Sequence, residues 1–123
     1  MLPRAYRLSK NKHFQYVYRK GIRVNAPNMA LVCVRCGPHK EIQVGFSVSK
    51  KVGNSVTRNL VKRRMREAIR VHLPGMKRGF RLVFVARPGI DTCRFDALVK
   101  EMCGLLRKAK LCQPPSDAGL PQP

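Results

Sequence analysis

Apolar residues in the first half of the chain follow first a helical and then an extended pattern. Within residues 9–19 they recur three and four positions apart, and Ser9 is a candidate N-cap, so a short helix is predicted. An apolar, β-branched run at 29–36 predicts a strand, and a short piece at 22–25 predicts an edge strand. At 42–49 apolar and small polar residues alternate, which predicts a strand with one buried and one open face.

The second half of the chain continues with a helix, a strand and another helix. A long helical segment follows the chain break at Gly53. A near-continuous apolar run at 80–86 predicts a strand, and apolar residues at helical spacing predict a last amphipathic helix at 94–110. Residues 113–123 are rich in proline and are expected to be disordered. We therefore expect one α+β domain over residues 1–112, in which a small central sheet packs against helices.

Basic residues dominate the composition. Lysine and arginine outnumber acidic residues 26 to 6 among 123 residues, so the formal net charge is +20, against about 2 to 8 for a typical small domain. The basic residues lie within segments predicted to fold, which favours a nucleic-acid partner over a membrane surface. The apolar runs are too short for a membrane span, and no secretory signal is apparent. Five cysteines, an odd number, favour reduced thiols in the cytosol.

The helix after Gly53 separates its charged and apolar residues onto different arcs. Glu67 is its one acidic residue, so a binding face is favoured over a solvated face stabilised by ion pairs. Arginine suits such a face because its planar group binds two phosphate oxygens at once. The cationic arc contains Asn59, Lys62, Arg63, Arg66 and Arg70, and the apolar arc contains Val61, Met65, Ala68, Ile69 and His72.

The chain offers little with which to hydrolyse a phosphodiester bond itself. Such chemistry needs clustered metal-binding carboxylates or an acid and base pair, and here the acidic residues and histidines are scattered. The cysteines also lack the spacing of a four-ligand zinc site. His72 is interpreted as a partly buried histidine with a hydrogen-bond partner. We therefore expect no catalytic residue, no metal site and no cofactor in the protein alone.

The stretch from Phe46 to Glu67, FSVSKKVGNSVTRNLVKRRMRE, resembles the signature of the bacterial ribonuclease P protein component. This family is the small subunit of the ribonucleoprotein that trims 5′ leaders from precursor tRNA. The resemblance extends over about residues 7–110. It departs from the family motif Arg-Asn-Arg at Leu60, which is therefore left out of the expected RNA contacts. The resemblance implies an α-β-β-β-α-β-α order with a left-handed β-α-β crossover, whereas general handedness rules favour a right-handed one.

The resemblance also implies two RNA surfaces on one domain. The basic helix would dock on the catalytic RNA through Arg58, Asn59, Lys62, Arg63, Arg66 and Arg70. A cleft between the first helix and the sheet would hold the single-stranded leader, with Phe14, Tyr18, Ser47, Ser49, Lys50, Lys51 and Arg87 as its residues. Phe14 and Tyr18 fit base stacking and core packing equally well. Val32 stands where the family commonly has an aromatic residue, so one stacking platform is missing.

The implied function is that of an accessory subunit of an RNA enzyme, an endoribonuclease. The RNA and its Mg²⁺ would cleave the leader, while the protein neutralises charge and positions the substrate. The expected partners are the catalytic RNA and precursor tRNA, with no DNA, no membrane and a monomeric protein in the cytoplasm. The alternative is a non-catalytic basic RNA-binding protein, such as a ribosomal protein or an RNA chaperone.

Overall fold

Among the residues that the structure describes, three helices and four strands follow one another in the predicted order. The computed structural model describes residues 7–8, 10–35, 42–75 and 79–109. Its elements are α1 (Asn11–Lys20), β1 (Ile22–Asn25), β2 (Met29–Arg35), β3 (Gln43–Ser47), α2 (Ser55–His72), β4 (Phe80–Ala86) and α3 (Phe95–Lys108), with 3-10 turns at Leu73–Gly75 and Ile90–Thr92. The α+β class and the α-β-β-β-α-β-α order are thus confirmed.

The four strands form one mixed sheet in the order β1-β2-β4-β3. Strand β2 runs antiparallel to both β1 and β4, whereas β3 pairs in parallel with β4. Two neighbouring parallel strands need a crossover, and α2 supplies it. The left-handed sense of this crossover stays a prediction.

Helices cover both faces of the sheet, but unequally. Leu82 and Phe84 lie in the main core, where α2 and α3 bury one face of the sheet. Val83 alternates with these residues along β4, so it points to the other face, as does its partner Val32 on β2. Both belong to a smaller cluster there, to which α1 contributes Val17. The sheet is therefore closed by two helices on one side and by one on the other. In the part of the chain that the structure describes, no helix is long and apolar enough to cross a membrane.

Some predicted boundaries differ from the observed ones. Helix α1 starts two residues later than predicted, and Lys10 holds the N-cap position without a side-chain hydrogen bond. Strand β3 ends at Ser47, so Ser49 lies beyond the strand in which it was predicted. The candidate cap Ser9 and the proline-rich segment 113–123 lie outside the described residues.

Candidate nucleic-acid interface

The start of α2 is fixed by the glycine and asparagine before it. The Asn54 side-chain oxygen accepts a hydrogen bond from the Thr57 backbone N–H at 2.9 Å, which caps one of the free donors of the first turn. A Cβ atom at Gly53 would lie 2.9 Å from Thr57 Cγ2, so this close approach needs glycine. The Gly-Asn turn therefore sets where α2 begins.

The predicted apolar arc of α2 is buried. Val61, Met65, Ala68 and Ile69 are at most 1% exposed and belong to the main core. His72 is half-buried, and its Nε2 lies 3.0 Å from the Val99 carbonyl oxygen, which confirms the interpretation of a histidine with a hydrogen-bond partner. Because this packing fixes the rotation of α2, the opposite arc must face outward.

The outward arc of α2 carries cations that no described carboxylate neutralises. Lys62, Arg63 and Arg66 form no ion pair with any described residue. Arg70 differs, since its Nη1 lies 3.2 Å from Glu67 Oε1 in an exposed pair. Exposed pairs contribute about 0 to 1 kcal/mol, so this pair is a weak restraint on Arg70. The arc can therefore bind phosphates without first breaking a strong ion pair.

Arg58 is placed differently from the other predicted members of this surface. It is half-buried, and its Nε atom is enclosed without a hydrogen-bond partner among the described residues. At about 100° per residue, position 58 falls between Met65 and Ile69 on the helix surface. The structure thus turns part of Arg58 inward, whereas Asn59 is exposed.

On the opposite face of the sheet, Phe14 packs over Gly45. A Cβ atom at Gly45 would lie 2.5 Å from Phe14 Cζ, so the ring rests directly on the backbone of β3. The face of β3 that was predicted to be open is therefore covered at this point. The ring centroids of Tyr18 and Phe14 lie 6.5 Å apart, and Tyr18 is 44% exposed. Phe14 is therefore half-buried, and Tyr18 is the more accessible aromatic.

Ser47 and Ser49 lie in different surroundings. Ser47 pairs with Val85 in the sheet and is half-buried. Ser49 is exposed in the turn after β3, where its hydroxyl oxygen accepts a hydrogen bond from the Lys51 backbone N–H at 3.3 Å. Lys50 and Lys51 are exposed in the same turn. A small polar and cationic segment therefore follows the end of β3.

A hydrogen-bond network holds Arg87 beside the end of β1. Its Nη2 donates to Asn25 Oδ1 at 2.6 Å, and its backbone N–H donates to the Asn28 carbonyl oxygen at 3.0 Å. Glu101 of α3 accepts the Asn28 backbone N–H at 2.8 Å and the Asn28 side-chain amide at 2.9 Å. Sequence reasoning missed Asn25, Asn28 and Glu101, because no local pattern links residues 73 positions apart.

The two predicted surfaces meet at the outer edge of β3. A pocket there is lined by Phe14 and Gly45 from the cleft side and by Lys62 and Arg66 from α2. Leu8 closes part of this edge, since its backbone N–H donates to the Val44 carbonyl oxygen at 2.9 Å. Sequence reasoning did not find this junction, because it brings together three distant segments. The arrangement forms one continuous surface around the edge of the sheet.

His13 lies on α1 close to several cations. Partial burial lowers the pKa of His13, and the nearby Arg81, Lys12 and Lys10 lower it further. The uncharged imidazole is therefore favoured beside these cations.

Burial also raises the pKa of the Cys33 thiol, which favours its protonated form. Among the described residues, no group of three or more histidine, cysteine, aspartate or glutamate side chains is placed to hold a metal ion.

The chain is similar to known proteins over most of its length. The family model described as Ribonuclease P matches residues 2–110. The ribonuclease P protein component of Brevibacillus brevis is 34% identical over 108 residues, covering 88% of this chain and 86% of that protein. The corresponding protein of Clostridium botulinum is 42% identical over 105 residues, covering 84% of this chain and 93% of that protein.

Solved structures show the same fold. The RNase P protein of Staphylococcus aureus superposes with a TM-score of 0.79 at 30% identity, covering 88% of this chain and 98% of that one. The RNase P protein of Thermotoga maritima superposes with a TM-score of 0.75 over 83% of this chain and 96% of that one, and at 22% identity it supports the fold alone. By the family match and the identity of its relatives, the chain belongs to the ribonuclease P protein component family.

Proposed function

We propose that this chain is the protein subunit of ribonuclease P, that it binds the catalytic RNA through α2, and that it holds the 5′ leader of precursor tRNA in the cleft between α1 and the sheet. The observation that carries the proposal is the outward arc of α2, where Lys62, Arg63 and Arg66 have no carboxylate partner among the described residues. An RNA backbone supplies the missing negative charge.

The protein's role in this proposal is electrostatic and positional. Catalytic RNA and precursor tRNA are both polyanions that repel each other, and a protein of net charge +20 lowers that repulsion. Binding the leader also holds the scissile bond near the RNA active site, which replaces an encounter of two molecules by a step within one complex. The RNA, with its own Mg²⁺, cleaves the phosphodiester bond. In this proposal the free protein is a monomer, and the complex acts in the cytoplasm.

The continuous surface around β3 supports a single path for RNA. Lys62 and Arg66 line both the junction with Phe14 and the outer groove of α2. A leader that leaves the cleft therefore meets the same cations that hold the catalytic RNA. The exposed turn with Lys50 and Lys51 adds charge close to the start of α2.

The proposal is tested with the purified protein and the catalytic RNA of the same organism. The protein alone should leave precursor tRNA intact, and the RNA alone should need a high Mg²⁺ concentration. Adding the protein should lower the Mg²⁺ concentration needed for half-maximal cleavage. If the protein binds RNA but leaves this cleavage unchanged at every Mg²⁺ concentration, the alternative of a ribosomal protein or RNA chaperone replaces the proposal.

The leader cleft is tested separately with Phe14→Ala. We expect the reconstituted enzyme to bind leader-bearing tRNA about tenfold more weakly, because stacking on one base contributes about 1 to 3 kcal/mol. Binding of mature tRNA should change little. Val17→Ala is the matched control, since Val17 is fully buried on the same helix. A loss that is equal on both substrates for Phe14→Ala, as we expect for the control, would assign Phe14 to packing alone.

A further inference from the structure

Three apolar side chains are exposed on the basic helix, and two of them, Val56 and Leu60, lie close together. Val56 is 76% exposed and Leu60 is 43% exposed, one helical turn apart on α2. Both lie outside the buried core, and an aliphatic pair at this spacing forms a single small patch. Solvent exposure of this patch is unfavourable in the free protein, and covering it with a partner would remove that cost.

The surroundings of this patch specify what covers it. Val56 and Leu60 line one outer groove of α2 together with Asn59, Lys62, Arg63 and Arg66. A partner that covers the apolar pair must therefore also meet the adjacent cations. An apolar protein surface would strip water from these charges without supplying partners for them.

From this juxtaposition we infer that Val56 and Leu60 contact an exposed base or ribose face of the catalytic RNA, beside the phosphates that Lys62 and Arg63 neutralise. The inference rests on the proposed function and adds the kind of RNA surface that α2 meets. RNA offers flat apolar faces and phosphates within the same few ångströms, so one strand can satisfy both parts of the groove.

The salt dependence of RNA binding can distinguish an apolar contact at Leu60 from a phosphate contact. A phosphate contact weakens with salt because it releases counterions, whereas an apolar contact does not. Leu60 stands where the related family motif has arginine, so this position exchanges an electrostatic contact for an apolar one. The protein should therefore keep a part of its RNA affinity that is insensitive to salt.

The test is the affinity for the catalytic RNA across a salt series, with Leu60→Ala, Val56→Ala and Leu60→Arg. We expect each alanine variant to weaken binding by about fivefold at every salt concentration, with an unchanged salt slope. Leu60→Arg should instead steepen the slope by about 0.7 to 0.9. Val71→Ala is the matched control, because Val71 is 60% exposed on the same helix but does not line the groove.

The outcomes separate this inference from the proposed function. If the wild-type protein binds the catalytic RNA and Leu60→Ala binds it equally well, only the inference is overturned. If the wild-type protein does not bind that RNA, both the proposed function and the inference are overturned. A dimer in sedimentation that Leu60→Ala dissociates would assign the patch to a second copy of the chain and would also overturn the inference. Equal melting temperatures of all variants would exclude an effect through folding.

Discussion

Helices α2 and α3 pack against each other and against the same face of the sheet, yet they present different surfaces to solvent. Their inner sides are alike, each contributing four buried apolar residues to the core. Their charges differ. Helix α3 carries two acidic residues and three basic ones, which are Asp96, Glu101, Lys100, Arg107 and Lys108. Helix α2 carries one acidic residue, Glu67, and six basic ones, which are Arg58, Lys62, Arg63, Arg64, Arg66 and Arg70. Arg58 is partly turned inward and Arg64 donates to the Cys93 carbonyl oxygen, so the fold uses two of these six cations. The remaining excess on α2 points to a partner.

The largest effect should come from substitutions on the buried inner sides of α2 and α3. Met65 of α2 and Met102 of α3 are both fully buried in the main core. We expect Met65→Ala and Met102→Ala each to lower the free energy of unfolding by about 2 to 5 kcal/mol, because each leaves a cavity. Urea unfolding followed by circular dichroism measures the change.

Exposed Val71 provides the control for these two substitutions, since Val71→Ala removes little buried surface. A much smaller loss for Met65→Ala than for Met102→Ala would break the comparison. It would mean that α2 is loosely docked and that its rotation, and hence the direction of its cations, is not fixed by packing.

The sequence predicted what depends on local periodicity. The buried arc of α2 was found because Val61, Met65, Ala68 and Ile69 repeat at helical spacing. The four strands and three helices were also found, with ends that shifted by one or two residues. Arg58 was assigned from its place in a motif, while the helical angle turns part of it inward.

Such local patterns could not predict contacts between segments that are distant in the sequence. That Phe14 would rest on Gly45 depends on how α1 crosses the sheet, which no local repeat encodes. The tie between Asn28 and Glu101 likewise depends on where α3 docks. Sequence reasoning therefore located helix α2 well but predicted an open face of β3 that Phe14 in fact covers at Gly45.

The next largest effect concerns the outer side of α2. Replacing Lys62, Arg63 and Arg66 together by alanine should weaken binding of the catalytic RNA by about 100-fold near 0.1 M salt and reduce the salt slope by about 0.7 to 0.9 per lost contact. Stability should change little, because none of these side chains forms an ion pair with a described residue. Filter binding across a salt series measures both quantities.

A triple alanine variant of Lys100, Arg107 and Lys108 on α3 removes the same charge from the neighbouring helix, where all three residues are exposed. It should weaken RNA binding far less, since only the long-range field changes. Equal losses for the two variants would show that net charge matters and that the position of the cations on α2 does not.

The smallest effect distinguishes two acidic residues of α3. Glu101 accepts two hydrogen bonds from Asn28, one of them from a backbone N–H, whereas Asp96 lies 3.6 Å from Arg94 in an exposed pair. Glu101→Ala leaves the part-buried donors of Asn28 without this partner, so we expect a loss of about 1 to 3 kcal/mol in stability. Asp96→Ala should cost less than about 1 kcal/mol.

Because the Asn28 carbonyl also accepts the Arg87 backbone N–H, Glu101→Ala should further weaken binding of leader-bearing tRNA, and Asp96→Ala should not. An unchanged affinity for that tRNA in a destabilised Glu101→Ala protein would separate the anchor of the turn from the cleft and leave α3 with a purely structural role.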